Sequence, residues 1–173
     1  DTGTNYVTLP AAALSNPNAT YYASGYDGGS LGFNPATDPV QLGDSETQPT
    51  DNIALLTLSS PNAPGPRSVV HYIGVNNFNP NGTTTIGVAD NGVGNFQGNI
   101  LLNKTAVLTS GSGGTANFSG DISGPGGITI AGTGIVNLSG TNSFQGITDV
   151  TSGSLGLANI SSTAAASLVA DLK

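Results

Sequence analysis

The chain has 173 residues, long enough for one domain with a real core and short for two. Only 8% of residues are charged while 36% are hydrophobic, which excludes disorder driven by high charge and low hydrophobicity. The formal charge of -7, with Arg67, Lys104 and Lys173 as the side-chain cations, excludes nucleic acid and anionic membrane surfaces as partners, because phosphate neutralisation needs clustered Lys and Arg.

The missing residue types say as much as those present. Glu46 is the single Glu and Met is absent, while Gly and β-branched residues abound, so an all-β fold is expected. Cysteine is absent, so neither disulfides nor thiolate metal sites hold the chain together. No apolar run approaches the ~18 residues of a membrane span, and no membrane insertion is expected. A chain opening at Asp1 without an apolar leader reads as a processed secreted protein or an excised segment. With the Asn/Thr/Gly-rich composition, this points to an extracellular or bacterial cell-surface location.

Nine of the ten prolines lie at or before Pro80, so residues 1–90 are expected to be a less regular β-rich region and residues 91–173 a regular one. In the first region, strand-like runs at Asn5 to Leu9, Ile53 to Ser59 and Ser68 to Val75 alternate with loops rich in Pro, Asn, Asp and Gly. The stretch from Asn34 to Asp51, with three prolines and four acids, reads as an exposed loop. Tyr6, Tyr21, Tyr22, Tyr26 and Tyr72 all fall in this region, and Tyr21, Tyr22 and Tyr26 make the best candidate contact surface.

The second region repeats. Asn95-Phe96-Gln97-Gly98, Asn117-Phe118-Ser119-Gly120 and Asn137-Leu138-Ser139-Gly140 recur at intervals of 22 and 20 residues. Asn77-Phe78-Asn79 is a weaker upstream echo, and the run from Leu155 to Asn159 a downstream one. A period of this length suits a β-solenoid, because three short strands and three tight turns close one coil and the next stacks about 4.8 Å above it. Runs such as Ile128-Thr129-Ile130 and Ile135-Val136-Asn137-Leu138 alternate, so apolar residues point inward. Phe96, Phe118 and Leu138 then form an inward stack, Asn95, Asn117 and Asn137 a corner ladder, and glycines such as Gly111, Gly113, Gly124 and Gly132 mark the corners. The tail from Ser161 to Leu172 is expected to be a short helix or cap.

The segment from Gly132 to Asn159 resembles the autotransporter-associated β-strand repeat of passenger domains in bacterial type V secreted proteins. Gly134, Leu138-Ser139-Gly140, Asn142, Phe144, Gly146, Thr148, Val150, Gly153, Leu155 and Leu157 carry the resemblance; Ile147 departs from it where the family often has a second Gly. The resemblance implies a right-handed parallel β-helix exported through the outer membrane and displayed outside the cell, commonly in adhesins. It carries over no catalytic residue, since the matched positions are structural.

Chemistry is sparse. His71 is the only histidine, which excludes a His-based metal site, and no Gly-x-Ser-x-Gly elbow supports a Ser/His/Asp arrangement. Asp90, Asp121 and Asp149 could in principle serve glycoside hydrolysis, but their spacing misses the repeat period and they read as solvated turn residues. No cofactor is expected. Calcium is the one ionic option, at Asp38, Asp44, Glu46 and Asp51 or at the Asp27-Gly28-Gly29 turn, although neither follows a known loop spacing. Sequons at Asn18, Asn81, Asn103, Asn117, Asn137 and Asn159 occur about as often as this composition gives by chance. The expected function is that of a non-enzymatic, surface-displayed structural or adhesive β-solenoid, with a host or neighbouring-cell protein or glycan as partner. The alternative is a self-assembling filament or surface-layer subunit joined to copies of itself through open β edges, and a polysaccharide-active enzyme is the third reading.

Overall fold

The structure, a computed structural model, describes residues 21–22, 39–43, 47–58, 65–158 and 168–169. Among them the fold is all-β and is a parallel β-solenoid built from three sheets. The largest, of seven strands, stacks β1 (Tyr21–Tyr22), β3 (Ile53–Thr57), β6 (Thr84–Val88), β9 (Ala106–Ser110), β12 (Ile128–Gly132), β14 (Thr148–Val150) and β16 (Leu168–Val169). The five-stranded sheet stacks β4 (Arg67–Val69), β7 (Val93–Phe96), β10 (Thr115–Phe118), β13 (Ile135–Leu138) and β15 (Ser154–Leu157). The third, of four strands, stacks β2 (Val40–Leu42), β5 (Ile73–Val75), β8 (Ile100–Leu102) and β11 (Ile122–Ser123). From β3 to β13 the chain visits the seven-, five- and four-stranded sheets in turn, and from β13 it passes directly back to the seven-stranded sheet at β14. Parallel neighbours need a long connection between them, and here two further strands supply it in place of the usual helix.

Alternation explains why these residues form these strands. In β9 the pattern is buried at Ala106, Leu108 and Ser110 and half-buried at Val107 and Thr109, so alternate side chains enter the core. In-register pairing then stacks like on like: Leu55, Ile86, Leu108, Ile130 and Val150 form one column, and Ile73, Ile100 and Ile122 another. Phe96 and Phe118 stack face to face with ring centroids 4.6 Å apart and planes 13° apart, with Leu138 in register on the next coil. All these columns join one continuous apolar core. Each fully buried Leu, Ile or Phe contributes about 1.5–3 kcal/mol, and with no disulfide available this burial and the ladders between coils hold the fold.

The coils do not begin at residue 91. The ladders run unbroken from β3 through β6 to β9, from β4 to β7 and from β2 through β5 to β8, so the strands β2 to β6 belong to the same solenoid. What changes is the length of the coil. In-register residues are 31 apart from Leu55 to Ile86 and 27 apart from Val69 to Phe96, then 22 apart from Phe96 to Phe118 and 20 apart from Phe118 to Leu138. The extra residues are in turns such as Asn76 to Thr83, between β5 and β6, where later coils have only Asn103 to Thr105.

Three local expectations are corrected by this geometry. Val40–Leu42, inside the stretch expected to be a loop, is a strand, because Val40 and Leu42 face inward around an exposed Gln41 and pair with Ile73 and Val75. The run from Ser68 to Val75 is two strands on different sheets, separated by a corner at Val70 to Tyr72. The Asn77-Phe78-Asn79 echo is not a rung: Phe78 is 47% exposed in a turn, and the residue beneath Phe96 is Val69. Most of the tail expected to be helical lies outside the described residues, and Leu168–Val169 within it form a strand that pairs with Thr148 and Asp149.

Corners are held by close approach and by side chains that stand in for backbone. At the turn between the five- and four-stranded sheets, a Cβ at Gly98, Gly120 or Gly140 would lie 1.8, 2.1 or 2.2 Å from a carbonyl oxygen of the coil below, so only hydrogen fits. Beside this glycine column, Asp121 N–H donates to Asn99 Oδ1 at 2.9 Å and Thr141 N–H to Asp121 Oδ1 at 2.7 Å. One coil higher, where the four-stranded sheet has ended, buried Asn142 Oδ1 accepts from Ile122 N–H in place of a strand carbonyl. Phe144 enters the core above Gly124, at a position where the lower coil offers no side chain.

Candidate binding face

The outer face of the five-stranded sheet carries a phased ladder of asparagines. Asn95, Asn117 and Asn137 occupy the third position of β7, β10 and β13, between inward-facing residues, and therefore project outward. They form a mid-strand ladder rather than a corner one. Asn117 Nδ2 donates to Asn95 Oδ1 and Asn137 Nδ2 to Asn117 Oδ1, each at 2.9 Å. An amide has two N–H donors and two acceptor lone pairs, and Asn117 in the middle of this chain uses one of each. Its remaining N–H and lone pair make no hydrogen bond among the described residues. Ser68 lies in register below the ladder and Gly156 above it, where a Cβ would come 2.3 Å from Asn137 Oδ1.

A second outward column runs beside the first, two residues earlier in each strand. Val93, Thr115, Ile135 and Ser154 are in register, with Val93 37% and Ile135 45% exposed. Val93 and Ile135 stand two coils apart on this column, with Thr115 between them. The face carries no ionisable side chain from Val93 to Phe96, Thr115 to Phe118, Ile135 to Leu138 or Ser154 to Leu157. The Asn repeat is legible in the sequence, and the signal of the column beside it is the same alignment shifted by two residues.

Other candidate residues scatter. Tyr21 and Tyr22 form β1 and pair with Leu55 and Leu56, whereas Tyr26 and Tyr6 lie outside the described residues, as do Asp27, Asp38, Asp44 and Glu46. Of the acids considered for calcium, Asp51 is described, and its Oδ2 accepts from Gln48 N–H. Among the described residues, no group of three or more His, Cys, Asp or Glu comes together. Asp90 lies in the turn after β6 and accepts from Gly92 N–H, Asp121 lies in the corner ladder, and Asp149 sits on the outer face of β14 rather than in a turn. His71 is buried at the corner between β4 and β5, with its carbonyl under Gly98. Gly146 closes against Gly127 on the coil below.

Lys104 has an unusual setting that sequence reasoning missed. Its ammonium donates to the Asn79 and Gly82 carbonyls at 2.6 and 2.7 Å, tying the long turn of one coil to the short turn of the next. Burial lowers its pKa below the ordinary lysine value. Buried Asn79 completes the turn by donating to the Asp51 carbonyl at 2.9 Å.

Comparison of the chain with protein-family models, with curated proteins and with solved structures finds no match.

Proposed function

We propose that this chain is a non-enzymatic, surface-displayed β-solenoid with a structural and adhesive role, of the type exported as passenger domains in bacterial type V secretion. The observation that supports it best is the use to which the repeat is put. Phe96, Phe118 and Leu138 pack the core, Gly98, Gly120 and Gly140 allow coils to approach, and the outward ladder leaves a flat, uncharged face. A rigid rod with one such face is suited to holding a partner at a distance from a cell. The likeness of residues 132–159 to passenger-domain repeats supports the export route.

Two measurements test this reading. Antibody raised against the purified protein should label intact source cells, and protease applied to those cells should release the antigen; labelling that requires lysis overturns surface display. Beads coated with the protein should be retained on neighbouring or host cells in a saturable manner, and retention no greater than that of albumin-coated beads overturns adhesion. Size-exclusion chromatography at high concentration separates this from the filament alternative, which predicts polymers that grow with concentration.

A further inference from the structure

We infer that the outer face of the five-stranded sheet binds an extended, neutral, β-linked polysaccharide laid along the solenoid axis, with one sugar per coil. This rests on the adhesive reading above and names its ligand.

The first argument is valence. A sugar hydroxyl both donates and accepts, and an amide holding a free N–H beside a free carbonyl lone pair is its natural complement. The ladder fixes the Asn95, Asn117 and Asn137 amides in one orientation before any ligand arrives, which removes part of the ordering cost of binding. The second argument is shape. A pyranose ring has a C–H face as well as a hydroxyl rim, and Val93 and Ile135, two coils apart with Thr115 between them, set exposed apolar side chains beside the amide column.

The third argument is spacing. Consecutive rungs of a parallel sheet are about 4.8 Å apart, close to the advance per residue of an extended β-linked glycan; since neighbouring sugars in such a chain are turned over, equivalent contacts recur every second coil, the interval that separates Val93 from Ile135. The fourth is charge. Among the described residues the face has no Lys or Arg to meet uronate or sulfate groups, and a molecule of net charge -7 repels polyanions, which leaves a neutral chain. A folded protein partner is disfavoured because the column offers no aromatic or Arg anchor of the kind that carries protein interfaces. Exposed Val70, Phe78 and Ile147 do not compete for this role, since each lies outside the strands.

Titration calorimetry of the whole chain with soluble β-1,4-linked oligomers of glucose and of N-acetylglucosamine tests the inference. At least one series should bind, tighten as the oligomer grows to about the number of rungs on the face, and show little change between low and high salt, since no ion pair is involved. Ile135→Lys projects into solvent and should keep the circular dichroism and melting temperature while weakening binding about tenfold or more. Asn117→Ala should weaken it similarly, and Thr129→Lys, on the outer face of the seven-stranded sheet, should leave it unchanged. Absence of binding in both series, or affinity unaltered by Ile135→Lys, overturns the proposal. So does an Ile135→Lys variant that converts an oligomer to a monomer, because the occupant is then a second copy. Cell-bound beads that ignore competing oligosaccharide would sink the glycan assignment and leave the adhesive reading intact.

Discussion

A methyl group at Gly120 would place its carbon 2.1 Å from the Gly98 carbonyl oxygen, with neither backbone free to retreat, since each is stacked on the next coil. Gly120→Ala should therefore cost about 3 kcal/mol, the upper end for overpacking. Gly113 is the contrast. It has φ +75° but only Asn91 Cβ near the added carbon, at 3.6 Å, so Gly113→Ala should cost about 1 kcal/mol from the left-handed backbone alone. Urea midpoints of the two variants, compared at constant slope, check the order. Lys104 makes a second claim at this scale. Its folded-state pKa lies below the unfolded value of 10.5, so between those two pKa values the unfolded chain holds more protons and stability rises with pH. Below both values the lysine is charged in either state and contributes no slope. Subtracting the pH profile of Lys104→Met from that of the parent protein should isolate a rise in the alkaline limb. A flat difference, or a fall, would show that the two carbonyl contacts outweigh burial.

Within a strand the two faces should respond in opposite ways to substitution. Val136 is fully buried and Ile135 is 45% exposed, although they are adjacent in β13. Val136→Asp should cost about 3–5 kcal/mol, because a carboxylate enters a core without a partner, whereas Ile135→Thr should stay within about 0.5 kcal/mol. Melting temperatures of both variants read this directly, and equal losses would mean that the strand register is misassigned. The same alternation decides how much was legible in the sequence. Coils of 22 and 20 residues announce themselves, since Phe96, Phe118 and Leu138 return at nearly fixed distance. The coil closed by Leu55 and Ile86 is longer by residues in its turns, such as Asn76 to Thr83, that carry no period, so its strands read as irregular in sequence although their inward columns are identical in kind. Three-residue strands such as Val40–Leu42 have one alternation each, too little to distinguish from a loop containing two apolar residues. The candidate face is half legible in the sequence for a related reason. Asn stands out in a repeat alignment, but Val93, Thr115 and Ile135 share only outward direction and modest polarity, and direction is known once the register is.

At the scale of the whole molecule, each coil touches chiefly the coils above and below, so the stability of the solenoid is a sum of coil and interface terms. That makes coil number a variable. Residues 120–139 are a suitable unit, because Gly120 to Gly140 closes one coil and both ends sit at the same corner. A second copy inserted after Ser139 would place Leu138 on Leu138, Asn137 on Asn137 and Gly120 under Gly140, and Thr141 N–H would find the second Asp121 carboxylate as its acceptor. No long turn and no lysine is duplicated, so the Lys104 tether to the Asn79 and Gly82 carbonyls remains single. The chain grows from 173 residues by one coil of 20, and the denaturant slope, which follows the surface exposed on unfolding, should rise by roughly a tenth. The urea midpoint should hold or increase, since an added interface offsets the entropy of the added residues when each coil repeats the last. A fall in the midpoint, or insolubility, would show that the coils are not interchangeable and that the C-terminal end stabilises the rod through contacts specific to its own sequence. If the longer rod folds, its outer face has one more amide in the ladder, and its affinity for long β-linked oligomers should increase relative to the parent while that for the disaccharide stays constant.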